Sequence, residues 1–162
     1  MNDSAAVLGR ERAVSLYEQA WQAGVPIAAF KLGYFYEYGA HPDTANAWRW
    51  YQRAADTGEP NALARIAERD ERNALVEADP RERNEHLLAA FKLYAAAAER
   101  ARYEDWPGES WSKWRYRRAS LARLLAREGM MQQVAEAYAA VRSRWTARPP
   151  SLWERVKNGL RR

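Results

Sequence analysis

Two histidines, a few neighbouring carboxylates and one arginine-rich serine motif are the residues whose types could do chemistry in this chain. His41 and His86 stand far apart in sequence, and neither has a second histidine at helical spacing. A zinc site needs several His, Cys or carboxylate ligands converging on one point. Carboxylate pairs occur at Glu68 with Glu71 and at Asp70 with Glu71. General acid–base work would need a buried or cleft setting that shifts their pKa values. Here they alternate with Arg65, Arg69 and Arg72, the pattern of a solvated helix face. Glu68 and Arg72 stand at i, i+4, where a surface pair contributes about 0.2–0.5 kcal/mol. The run "RRAS", residues 117–120, has the form of a basophilic kinase site, yet Ser120 falls inside a predicted helix as a small packed residue. No phosphate-binding glycine loop or nucleophile elbow occurs. The chain has no cysteine, which excludes disulfides and thiolate chemistry. The expectation is therefore a protein without catalytic residues, cofactor or metal.

Binding chemistry is better represented. Eight Trp and nine Tyr in 162 residues supply much large apolar surface to bury or to present. Charge is lopsided: residues 113–162 carry 13 Lys and Arg against 3 Asp and Glu, whereas residues 1–112 carry 13 against 18. A basic C-terminal third suits an acidic partner, a nucleic acid or an anionic lipid surface, against the plainer reading of solvated Arg on amphipathic helices. No run approaches the 18 or so apolar residues of a membrane span. The N-terminus lacks a positively charged stretch leading into an apolar block, so no signal peptide is expected. A cytoplasmic location is expected, or a periplasmic one for a chain whose leader had been removed.

The elements that must position these side chains follow from a repetition. "VSLYEQAWQAG" (14–24) returns 34 residues later as "WRWYQRAADTG" (48–58). At that offset Ala13 pairs with Ala47, Tyr17 with Tyr51, Ala20 with Ala54, Gly24 with Gly58, Ala28 with Ala62 and Leu32 with Ile66. Ala47, Tyr51, Ala54 and Gly58 fall at i, i+4, i+7 and i+11, one stripe of a helix. Asp43 or Thr44 can cap its start, Gly58 suits the left-handed residue that ends it, and Pro60 suits a first helical turn. The register continues with slippage at Ala90, Leu93, Tyr94 and Ala97, then at Val134, Ala137, Tyr138 and Val141. Helices are predicted over 9–23, 26–38, 45–57, 60–77, 80–104, 110–128, 130–146 and 152–160. Capping boxes at Asp79–Glu82 and Ser151–Glu154 mark two of the starts. No strand pattern occurs.

Residues 28–62 resemble a Sel1-like repeat, a relative of the tetratricopeptide repeats. Ala29, Leu32, Gly33, Tyr36 and Gly39 match the first helix of that family's motif. Ala47, Trp50, Tyr51, Ala54, Ala55 and Gly58 match the second. The match is partial elsewhere, with residues 13–24 giving a second helix that has no partner. The resemblance implies an all-α, right-handed α–α superhelix (solenoid) of about three to four helix-hairpin repeats over residues 1–148. A short C-terminal capping helix and basic tail would occupy 149–162.

On that register Trp50, Tyr17, Tyr36, Tyr51, Tyr94 and Tyr138 belong to packing, while Tyr34, Tyr38 and Trp48 lie off the stripe. Trp106, Trp111 and Trp114 cluster where an insertion rejoins a helix, to pin it or to bind. A concave face lined by the first helix of each pair would carry Phe30, Tyr34, Glu37 and Tyr38, then Ala64, Glu68, Glu71 and Arg72, then Tyr116, Ala119, Arg123 and Arg127. Such a face is aromatic at one end and basic at the other, and suits a protein or peptide with an acidic segment. Sel1-like proteins act largely as scaffolds, so a non-enzymatic interaction module is the leading expectation. One alternative, also from the resemblance, is a bacterial immunity protein that neutralises a neighbouring antibacterial effector; the Arg-, Ala- and Trp-rich composition fits a GC-rich bacterial genome. The weaker alternative is nucleic-acid binding through "SKWRYRRAS", whose interleaved Trp and Tyr could stack bases between phosphate-neutralising Arg. "SLWERVKNGLRR" reads as the capping helix rather than as an amphipathic membrane anchor.

Overall fold

The computed structural model describes the backbone of residues 3–103 and 109–145 and the side chains of 9–101 and 112–145. Over these it is all-α, with α1 Asp3–Gln22, α2 Pro26–Tyr38, α3 Thr44–Asp56, α4 Pro60–Val76, α5 Pro80–Tyr103, α6 Glu109–Arg127 and α7 Met131–Trp145. The predicted capping helix 152–160, its capping box at Ser151–Glu154 and Trp106 lie outside the described residues, as does the side chain of Trp111. None of the described helices is long and apolar enough to cross a membrane.

Local chemistry accounts for the limits of these helices. Asp43 caps α3 by accepting from the Asn46 N–H at 3.0 Å and the Asn46 Nδ2 at 2.7 Å. Asp79 caps α5, taking the N–H groups of Arg81 and Glu82 at 2.8 and 3.0 Å. Buried Glu59 caps α4 through the Ala62 N–H, 2.7 Å away. At the other ends Gly24, Gly58 and Gly129 have φ of 83°, 82° and 76°. Each closes a Schellman motif: the following N–H reaches back five residues, Val25 to Ala20, Glu59 to Ala54 and Met130 to Leu125, at 2.9–3.1 Å. The predicted start of α1 at residue 9 is corrected to Asp3.

The chain divides into two compact units, Met1–Ile66 and Ala67–Arg162. In the first, α2 packs on α1 and α3 around fully buried Ala29, Leu32, Ala47, Tyr51 and Ala54. In the second, α5 packs on α6 and α7 around Ala90, Phe91, Tyr94, Ala97, Leu121 and Leu125, with Trp114 also buried. Small residues let the axes approach, and tyrosines fill the wider spaces between them.

Tyr17 does not share this burial. Assigned to packing by its register, it is 36 % exposed, where its counterpart Tyr51 is 0 %. The reason lies in the neighbouring helix. Tyr51 is covered by α2, and among the described residues no helix covers Tyr17 in the same way. Trp48, off the predicted stripe, is half-buried with its ring 5.5 Å from that of Tyr51.

Candidate functional site

The tyrosines of the repeat end on carboxylates. The Tyr51 hydroxyl on α3 donates to Glu37 Oε2 on α2 at 2.7 Å, and Arg65 from α4 pairs with the same carboxylate. Tyr94 on α5 donates to Glu71 Oε2 on α4 at 2.7 Å, with Arg117 of α6 3.5 Å from Glu71. Tyr138 on α7 donates to Glu99 Oε1 on α5 at 2.9 Å; Arg118 lies 3.7 Å from Glu99 and donates to the Tyr138 hydroxyl at 3.0 Å. Each is a clamp of hydroxyl, carboxylate and guanidinium drawn from three helices. A buried phenol needs an acceptor, and a half-buried carboxylate needs a counter-charge. Burial and the facing carboxylates, Glu37 and Glu71, push the phenols of Tyr51 and Tyr94 well above the usual tyrosine value.

Glu37 and Glu71, expected on a binding face, are thus engaged inside their own units. The expected i, i+4 pair is also rearranged: Arg72 Nε reaches the Glu68 backbone carbonyl at 3.3 Å, while the Glu68 carboxylate lies 4.0 Å from Lys113 on α6. Asp70 lies 3.7 Å from Arg69 with its side chain largely buried, and that burial raises its pKa. The carboxylate-rich face of α4 is therefore an interhelical seam, a correction to its reading as solvated. Among the described residues no group of three or more His, Asp or Glu gathers as a metal site would.

In the first unit Tyr34 and Tyr38 are 53 % and 56 % exposed, one turn apart on α2, with ring centroids 4.7 Å apart. Arg65 donates to the Tyr38 hydroxyl and places its guanidinium 5.7 Å from that ring. Phe30, expected beside them, is half-buried against Tyr51 at 5.6 Å. In the second unit Arg72 is exposed and Ala64, in the first, is buried. Tyr116 (69 % exposed), Arg123 and Arg127 share the face of α6 opposite buried Trp114, Leu121 and Leu125, with Ala119 half-buried at its margin.

Sequence reasoning missed the clamps, although part of the signal was present. Glu37 and Glu71 are themselves 34 residues apart, at the repeat offset. Glu99 carries no such mark, because its carboxylate comes from the last turns of the long helix α5.

No protein-family model matches the chain, and no solved structure matches it. Over 54 residues it is 43 % identical to the chitin synthase regulator SKT5 of Saccharomyces cerevisiae. The matching stretch is 32 % of this chain and 8 % of the yeast protein, so the two are alike over a short segment only.

Proposed function

We propose that the chain is a Sel1-like helical-repeat module that binds a partner protein, with Tyr34 and Tyr38 on α2 as its anchor. Its hairpins would be units of the right-handed solenoid that the resemblance implies. The observation carrying this reading is the pair itself: two large amphipathic rings, each more than half exposed, with centroids 4.7 Å apart and planes tilted by 43°, Tyr38 being held by Arg65. Tyrosine and arginine are the residue types that most often dominate binding energy, and rigid ones lose little entropy when a partner docks. The exposed Tyr116, Arg123 and Arg127 on α6 offer a second, basic surface suited to an acidic segment. The yeast protein with the similar segment is by name a regulator of an enzyme, which agrees with a module that acts through another protein.

The test is recovery of partners by the intact chain and by a Tyr34→Ala/Tyr38→Ala variant of unchanged helicity. Loss of specific partners from the variant is the expected outcome. Equal recovery would remove the α2 surface from consideration.

A further inference from the structure

The Tyr51 clamp draws its parts from three successive helices: the Glu37 carboxylate on α2, the Tyr51 hydroxyl on α3 and the Arg65 guanidinium on α4. Moved back by the 34-residue offset, Tyr51 becomes Tyr17 on α1 and Arg65 becomes Lys31 on α2. The hydroxyl and the cation are both kept. The carboxylate is not, because the same shift takes Glu37 to Asp3, which lies on α1 itself. Fourteen residues of helix separate Asp3 from Tyr17, a rise of about 21 Å.

Exposure agrees with an incomplete clamp. Tyr17 is 36 % exposed and Leu16 56 %, while Ala13 and Ala20 are half-buried where Ala47 and Ala54 are fully buried. Lys31 is exposed. Among the described residues, neither the Tyr17 hydroxyl nor the Lys31 ammonium has a hydrogen-bond or ion-pair partner. A donor and a cation at the two register positions that elsewhere enclose a glutamate present positive character without its acceptor. The completed copy also shows the shape required. Gly33 lies under the Tyr51 ring, and Glu37 follows four residues later on the same helix.

We propose that this edge of the first unit is the docking face for a helix of a partner protein. That helix carries a Gly facing Tyr17 and, four residues on, a Glu received between the Tyr17 hydroxyl and the Lys31 ammonium. Lys31 lies one turn before Tyr34 on α2, so this face adjoins the Tyr34–Tyr38 row; its occupant is defined by Tyr17 and Lys31 alone.

A fluorescein-labelled peptide of residues 26–40, the chain's own helix of this type, is the probe, titrated against the full chain by anisotropy. Saturable binding is expected. Glu37→Gln in the peptide, Tyr17→Phe in the protein and Lys31→Ala in the protein should each weaken it about tenfold, as loss of a hydrogen bond or ion pair to a charged group does. Combining the peptide change with Tyr17→Phe should weaken it no further than one change alone, since both remove the same contact. Tyr17→Phe should leave the unfolding midpoint unchanged. Absence of binding, or binding indifferent to all three changes, overturns the proposal. So does a wild-type dimer in light scattering that Tyr17→Phe converts to monomer, which would make a second copy the occupant.

Discussion

Gly33 and Tyr51 meet where a side chain is missing: a Cβ on Gly33 would lie 2.5 Å from Cδ1 and 2.6 Å from Cε1 of the Tyr51 ring. The ring therefore rests on the α2 backbone itself. That close seat is what brings the Tyr51 hydroxyl to Glu37 and, through Glu37, to Arg65.

Replacing Gly33 should accordingly cost stability, even though Ala is the better helix former. Overpacking a tight contact costs about 1–3 kcal/mol, against a propensity gain of up to about 1 kcal/mol. Gly9 provides the opposite sign, since among the described residues nothing lies within 4 Å of a Cβ built there and it sits inside α1. Gly33→Ala is expected to lower the urea midpoint and Gly9→Ala to raise it.

The contrast between these two glycines shows how far local reading reaches. The ends of α2 to α7 were legible within a residue or so because caps are short-range: Asp43, Asp79, Gly24 and Gly58 act on backbone groups two to five residues away. The stripes of Ala and Tyr were legible for the same reason, their period being that of one helix. What the tyrosine hydroxyls bond to was not legible, because the acceptors stand 14, 23 and 39 residues away on other helices. Tyr17 shows the converse limit. Its surroundings depend on a neighbour rather than on its own pattern, so an identical stripe gives a buried ring in α3 and an exposed one in α1.

High pH should unfold the protein through Tyr51 and Tyr94. Both phenols have folded pKa values raised above the ordinary value of about 10. A raised folded value means that their contribution is fully present below about pH 10 and is lost as pH climbs past it. Absorbance at 295 nm and circular dichroism should show these two rings ionising only together with loss of helix. In a Tyr51→Phe/Tyr94→Phe variant the alkaline transition should move to higher pH, while stability at neutral pH falls by about 1–3 kcal/mol per lost hydrogen bond to a carboxylate.

At the acid end the α3 cap is the reporter. The Asn46 backbone N–H is the chief cause that holds the Asp43 carboxyl below its usual value; desolvation opposes it, and the Asn46 side chain, the Ala45 N–H and the Arg49 charge add to the lowering. A lowered folded value contributes stability that is present above the unfolded pKa and is lost as pH falls through the folded one. Asp43→Asn keeps an acceptor at the cap but cannot titrate. The variant should therefore show a shallower fall in thermal midpoint below the carboxylate range, and Asp43→Ala a lower midpoint at neutral pH.

Salt separates a protein partner from a nucleic acid. Two of the cations on α6, Lys113 and Arg117, lie 4.0 and 3.5 Å from Glu68 and Glu71 and are partly neutralised there. A site that neutralised six or more phosphates would lose about a thousandfold in affinity between about 50 and about 200 mM salt. Docking on Tyr34 and Tyr38 draws on apolar area and a fixed arginine, which screening weakens little. Affinity for the recovered partner should change less than about tenfold over the same range, and Arg123→Ala/Arg127→Ala should mainly slow association. A thousandfold loss with salt, unaffected by Tyr34→Ala/Tyr38→Ala, would make the basic helix the functional surface instead.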